Sequence, residues 1–263
     1  MLPAGAGTFG YTRDRLMDAY DLQARHAPVV FAFLPTILVA IALVPEFGQA
    51  KIQAGSIAFI LIAALAFVAT RIARSAGRAR QDGLYAAWGG QPTTAMLRFR
   101  DTRLNPQTKQ VYRERLRRLG DAFPIPNEPE EQRDPHGADI KIGAAMDEVR
   151  RRAKEQRIKS VHRENINYGA ARNAYGLKPF GLGACLVAAV TLALTISQRN
   201  PLSPTSLEIA VAMGIVVIAG TWLLACNANG VRHHAEAYAL ALFESIETLV
   251  PASRKRTGSQ AQR

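Results

Sequence analysis

Hydrophobic and polar positions fall into two populations along this chain. Four stretches contain no Asp, Glu, Lys, Arg or His: Pro28–Val44, Ile52–Thr70, Phe180–Ile196 and Ile209–Cys226. Each has 17 to 19 residues, close to what a helix needs to cross a hydrocarbon core roughly 30 Å thick. None shows polar residues recurring at helical period, as a helix with one face in water would. The pattern predicts four transmembrane helices. They pair into two hairpins: residues 45–51 separate the first two, and residues 197–208, with Asn200, Pro201, Ser203 and Pro204, separate the last two.

Between the second and third runs the pattern becomes amphipathic. The second helix continues past the membrane through Leu84, Tyr85 and Trp88, and Gly89-Gly90 stops it. Thr93 or Thr94 caps a short helix reaching Arg100. Asn105-Pro106 joins an N-cap residue to a proline at the first helical position. The helix that follows reaches about Leu119, with Val111, Tyr112, Leu116 and Leu119 on its apolar face and Arg113, Arg117 and Arg118 on the other. Residues 121–138 are rich in proline and acid and read as an exposed loop. A helix from Asp139 to Ser160 comes next, and His162–Lys178 leads into the third span.

After the fourth span, Val231, Ala235, Tyr238, Leu242, Ile246 and Leu249 form an apolar stripe, with Arg232, Glu236, Glu244 and Glu247 mostly off it. Tyr11–His26 is a weaker example, and Ser253–Arg263 reads as disordered. The fold class expected is an all-α integral membrane protein. Two transmembrane hairpins (28–70 and 179–226) flank a helical cytoplasmic module (71–178), with an N-terminal segment (1–27) and a C-terminal amphipathic helix and tail (227–263).

Charge orients this arrangement. The chain carries 33 Lys+Arg against 21 Asp+Glu, net +12, and residues 71–178 hold +10 of it. The two hairpin connections carry one basic residue each, Lys51 and Arg199. The positive-inside rule then places both termini and the module in the cytoplasm. The same rule accounts for the basic excess, so nucleic acid is a disfavoured partner. The 27 residues ahead of the first run, with no small-x-small cleavage site after it, read as a retained span rather than a leader. Cys185 and Cys226 lie in apolar runs and do not form a secreted disulfide framework.

Chemistry is sparse. No glycine-rich phosphate loop ends in Gly-Lys-Ser/Thr. His233 and His234 are adjacent, about 100° apart on a helix, which does not suit a metal pair. No metal or cofactor and no enzymatic activity are expected. The spans lack the ionisable groups of a proton relay or coupled transporter, though Thr36, Ser56, Thr191, Thr195 and Thr221 offer hydroxyls. Gly181, Cys185, Ala189 and Ala193 repeat at one-turn spacing, a stripe suited to close helix packing within the bundle or between copies of the chain.

Two juxtamembrane segments are unusually polar: WGGQPTT, Trp88 to Thr94, and ENINYGAARN, Glu164 to Asn173. On these segments the central part of the chain resembles a type of uncharacterised bacterial inner-membrane protein with four transmembrane helices. The resemblance implies a bacterial inner membrane and a site shared between the two segments, and it carries no activity. The candidate ligand-binding or coupling residues are Trp88, Thr93, Thr94, Arg98, Arg100, Glu164, Asn165, Tyr168, Arg172 and Asn173.

The function expected first is a homo-oligomeric, ligand-gated pore or membrane-disrupting effector. Its basic module would sense a small anion through Arg98, Arg100, Arg172 and Asn173. The alternative is a membrane anchor that recruits another protein. A lipid-modifying enzyme built on Glu164, Asn165 and Tyr168 is the least favoured reading.

Overall fold

The computed structural model describes residues 26–43, 71–198 and 203–249. The expected second span Ile52–Thr70, nearly all of Tyr11–His26 and the tail Ser253–Arg263 lie outside the described residues. Among the described residues every regular element is a helix and no strand occurs. The helices are α1 (Ala27–Leu43), α2 (Gln81–Ala87), α3 (Pro92–Ala95), α4 (Pro106–Arg117), α5 (Glu128–Arg133), α6 (Pro135–Glu155), α7 (Lys159–Ser197), α8 (Ser206–Leu224) and α9 (Ala228–Leu249). Residues 71–79 are also helical. Contacts group the described residues into two compact units. One takes in 26–43, 71–87, 165–198 and 203–235, and the other 88–164 and 236–249.

In the first unit, α7 and α8 are long and apolar enough to cross a membrane, whereas α1, at 17 residues, is shorter. α8 starts at a capping box in which Thr205 and Glu208 exchange hydrogen bonds. Its 19 residues span about 28 Å. The core is apolar: Val29, Ala32 and Val39 of α1, Cys185, Ala188 and Leu192 of α7, and Val211, Ile215, Ile218 and Trp222 of α8.

Trp222 is fully buried, with its ring 5.2 Å from that of Phe31. Gly181 makes room for it, since a Cβ there would lie 2.2 Å from the indole. The small-residue stripe therefore divides. Gly181 and Cys185 face this seam, whereas Ala189 and Ala193 are exposed beside Leu186, Val187, Val190 and Leu194.

Lys178 donates to the carbonyl of Leu223, 3.1 Å away, at the C-terminal end of α8, where a cation also meets the helix dipole favourably. This bond sets the start of the apolar part of α7 level with the end of α8. Thr191, Thr195 and Thr221 each donate to the carbonyl four residues earlier, so these exposed hydroxyls are satisfied within their own helices.

The second unit has a mixed core. Leu97, Leu116, Ile142, Met146, Val149, Leu242, Phe243 and Ile246 are buried together with Lys109, Arg113 and Glu131. The C-terminal part of α9 is held by Tyr112 against Phe243 at 5.4 Å, Arg103 to Glu236 at 3.0 Å and Arg115 to Glu247 at 2.7 Å.

Four sequence expectations are corrected here. Residues 121–138 are largely exposed, as expected, but they are not one continuous loop. Asn127 and Glu130 form a capping box that starts α5, Asp134 caps α6, and Ile125, Pro126 and Glu131 are buried. Neither Thr93 nor Thr94 is a cap, because both lie inside α3 and are buried, and Gln91 holds the cap position without a side-chain bond. Arg113 points into the core rather than to the outer face of α4. The 139–160 helix also runs earlier, as α6, and breaks where Arg157 takes a positive φ of 53°.

Candidate functional site

The polar residues expected at the membrane boundary build a ladder within the first unit. Residues 71–87 and the stretch of α7 from Tyr168 to Leu177 run antiparallel. They meet tightly at Gly77 and Gly176, where a Cβ on Gly176 would lie 2.5 Å from the Gly77 nitrogen. One turn on, Arg172 Nη1 donates to Gln81 Oε1 at 2.6 Å. A further turn on, the hydroxyls of Tyr85 and Tyr168 meet at 3.0 Å. As the number rises by four on one helix it falls by four on the other, which fixes a single register.

Gln81 links the rungs by donating Nε2 to Tyr85 Oη at 2.9 Å. The Arg172 guanidinium stacks 5.5 Å from the centroid of the Tyr168 ring. Asn173 is buried beside Gly77, where a Cβ would meet its Oδ1 at 2.8 Å. The chain of guanidinium, amide and two phenols can bind and orient a partner. It contains no nucleophile set against a base.

Another face of α7, with Asn167, Ala170, Ala171 and Ala174, borders a cavity of about 360 Å³. Cys226, Asn227 and His234 line its far side. Asn227 also works locally, donating to the carbonyl of Leu224 and accepting from the Gly230 amide.

The other candidates belong to the second unit. Arg98 makes a bidentate pair with Asp139, both bonds at 2.7 Å, and donates to the carbonyl of Gly89. That carbonyl sits in the Gly89-Gly90 turn, where φ is +77° and +128° and only glycine is unstrained. Arg98 therefore fastens the turn to α6. Thr93 and Thr94 are buried, Trp88 and Glu164 are half-buried, and Arg100 is exposed. In the first unit, Tyr168, Arg172 and Asn173 take part in the ladder contacts, and Asn165 is half-buried on α7.

Sequence reasoning missed Gln81, Tyr85 and Asp139. The first two are four apart on one helix face, as are Tyr168 and Arg172, so the spacing of a ladder was present on both strands of the pair.

The second unit also encloses a charged network. Arg113 donates to the carbonyls of Leu97 and Pro126 and lies 3.4 Å from a Glu131 oxygen, with Phe99 stacked 4.0 Å from its guanidinium. Lys109 donates to the carbonyls of Arg98, Phe99 and Asp101. Burial lowers the pKa of both cations, and Glu131 partly opposes it. Burial also disfavours the charged form of Asp101, but the Arg103 hydrogen bonds and charge outweigh it and hold this carboxyl below its usual range. These groups close the 97–101 turn from inside.

Comparison with known proteins adds no relative: no family model, curated protein or solved structure matches this chain.

Proposed function

We propose that this chain is a four-span protein of a bacterial inner membrane whose cytoplasmic helical module anchors another protein there. The observation that supports the membrane reading most is the exposure of the apolar helices. Only 22% of the most apolar window of α7 and 28% of that of α8 are buried, whereas a soluble core helix of that composition would be mostly covered. Lipid is the solvent that fits Leu186, Val187, Val190, Met213, Val216 and Val217 on the outside.

Support for the anchor is the self-sufficiency of the second unit, in which Arg98, Arg113 and Lys109 are engaged internally. Its outer face presents charges such as Lys141 and Lys154, which suit an acidic protein surface. In the proposed topology both termini and the module are cytoplasmic and Ser203 lies outside.

Cysteine substitutions test this. Ser203→Cys should react with a membrane-impermeant maleimide on intact cells, and Lys141→Cys only after permeabilisation. Labelling of both on intact cells sinks the topology. Loss of co-purifying protein in Lys141→Glu with Lys154→Glu supports the anchor, and an unchanged set of partners counts against it.

A second reading, the ligand-gated pore or effector, is favoured by Arg172. Among the described residues its guanidinium is bonded to a neutral amide and a ring, not to a carboxylate. Native mass spectrometry separates the readings. A closed oligomer of four or more chains moves the assignment to the pore, and a monomer or dimer removes it.

A further inference from the structure

We propose that Arg71, Arg74 and Arg78 form a recognition stripe for anionic phospholipid headgroups. The inference rests on the membrane reading above and adds a partner to it. At 100° per residue the three side chains fall within about 60° of one another, and all three are exposed. Ala73, about 130° from the centre of the stripe, is buried, and so is Gly77, about 90° from it on the flank that meets Gly176. Arg80 points elsewhere, its guanidinium 5.1 Å from the Tyr175 ring.

The height of the stripe follows from the helix register. Gly77 lies against Gly176, so Arg78 is level with Tyr175, Arg74 with Pro179 and Arg71 with Leu182. The Lys178–Leu223 bond marks the boundary of the apolar segments, and the stripe straddles that level. Phe180, Leu223 and Leu224 are exposed at that level, and Ile72 is exposed beside the stripe. The stripe covers about 10 Å along the axis, against a headgroup layer of roughly 5–8 Å. Long arginine side chains bring their guanidiniums into that layer while their stems lie along apolar surface.

Guanidinium pairs with phosphate oxygens in a planar, two-pronged geometry. Among the described residues Arg74 and Arg78 form no ion pair. Asp82 is the next residue on this face, one turn beyond Arg78 and away from the apolar segments. It disfavours a soluble polyanion lying along the whole helix and leaves the boundary end positive.

The test is native mass spectrometry of the detergent-purified full chain, titrated with phosphatidylglycerol or phosphatidylcholine. The natural chain should retain phosphatidylglycerol in clear preference. Arg74→Gln with Arg78→Gln should cut that preference about 30-fold, from the usual worth of two basic residues at an anionic surface. Arg74→Lys with Arg78→Lys should keep most of it, and the exposed pair Arg133→Gln with Lys159→Gln should leave the lipid preference unchanged. Equal retention of both lipids by the natural chain, or an unchanged preference in the double glutamine variant, overturns the proposal. So does displacement of the lipid by a short oligonucleotide at low concentration.

Carbonate washing of membranes separates this from the reading beneath it. A chain that stays in the pellet without lipid preference refutes the stripe alone. A chain that washes off removes the membrane reading and the stripe together.

Discussion

The two compact units bury their interiors by opposite means. The unit with the apolar helices meets itself through absences of side chain: Gly181 under Trp222 and Gly77 against Gly176. The other encloses two cations and a carboxylate among aliphatic side chains and answers their charge with main-chain carbonyls. The contrast follows from the solvent proposed for each. In lipid, apolar side chains gain little by leaving the surface, so shape and close approach decide association. In water, apolar burial supplies the drive. A buried cation is then tolerated when nearly all of its donors are used.

The contrast can be broken most forcefully at Arg113. Arg113→Met leaves Glu131 buried without its cation and strips the carbonyls of Leu97 and Pro126 of their donor. The expected loss is about 3–5 kcal/mol in chemical unfolding. A double variant with Glu131→Leu should recover part of that loss, because it removes the stranded charge. Near-native stability of the single variant would show that the network contributes little.

A smaller effect is expected at Gly181. Gly181→Ala pushes a methyl into the indole of Trp222 and should cost about 1–3 kcal/mol in a detergent melt. In a Trp222→Leu background the same change should cost less. Equal costs in the two backgrounds would mean that the glycine serves something other than the tryptophan.

The smallest effect lies on the surface of α6. Hydrogen bonds from Arg151 and Arg152 hold the Glu148 carboxyl down, from an ordinary 4.5 to about 2. A depressed carboxyl stabilises the fold above its unfolded value and ceases to do so as pH falls from about 4.5 through about 2. The group is solvated, so the contribution is modest and salt-screened. Glu148→Gln should flatten the acid limb of an unfolding titration between those values, with little change at pH 7. An identical acid limb in the variant would assign that limb to other carboxylates.

Much of the architecture can be read from residue spacing alone. The stripe Val231, Ala235, Tyr238, Leu242, Ile246 and Leu249 is buried along α9 throughout, because a 3.6 period survives whatever the helix packs on. Asn105-Pro106 starts α4, with the Asn105 side chain accepting from the Gln107 amide, because capping is local chemistry. Arg113 was not legible, since its place depends on a turn, at 97–101, that folds elsewhere in the sequence. Residues 121–138 misled through composition. Prolines and acids mark loops on average, yet acids also favour a helix N-terminus, and the Asn127-x-x-Glu130 spacing was the better guide. For the candidate site, Tyr168, Arg172 and Asn173 could be found from their density on one segment. Their partners on residues 77–85 could not, because the four-residue spacing present on each strand does not say which residue of the other it meets.

That register has a hereditary side. Gly77 with Gly176, Gln81 with Arg172 and Tyr85 with Tyr168 are joined four residues at a time. A codon gained or lost inside either stretch would rotate every later rung by about 100° and set it out of step. Descendants of this gene can therefore change length freely only outside those paired stretches, or by altering both at once. Substitutions at Gly77 and Gly176 should be inherited as a couple, and a single bulky change at either should be purged before its partner can answer.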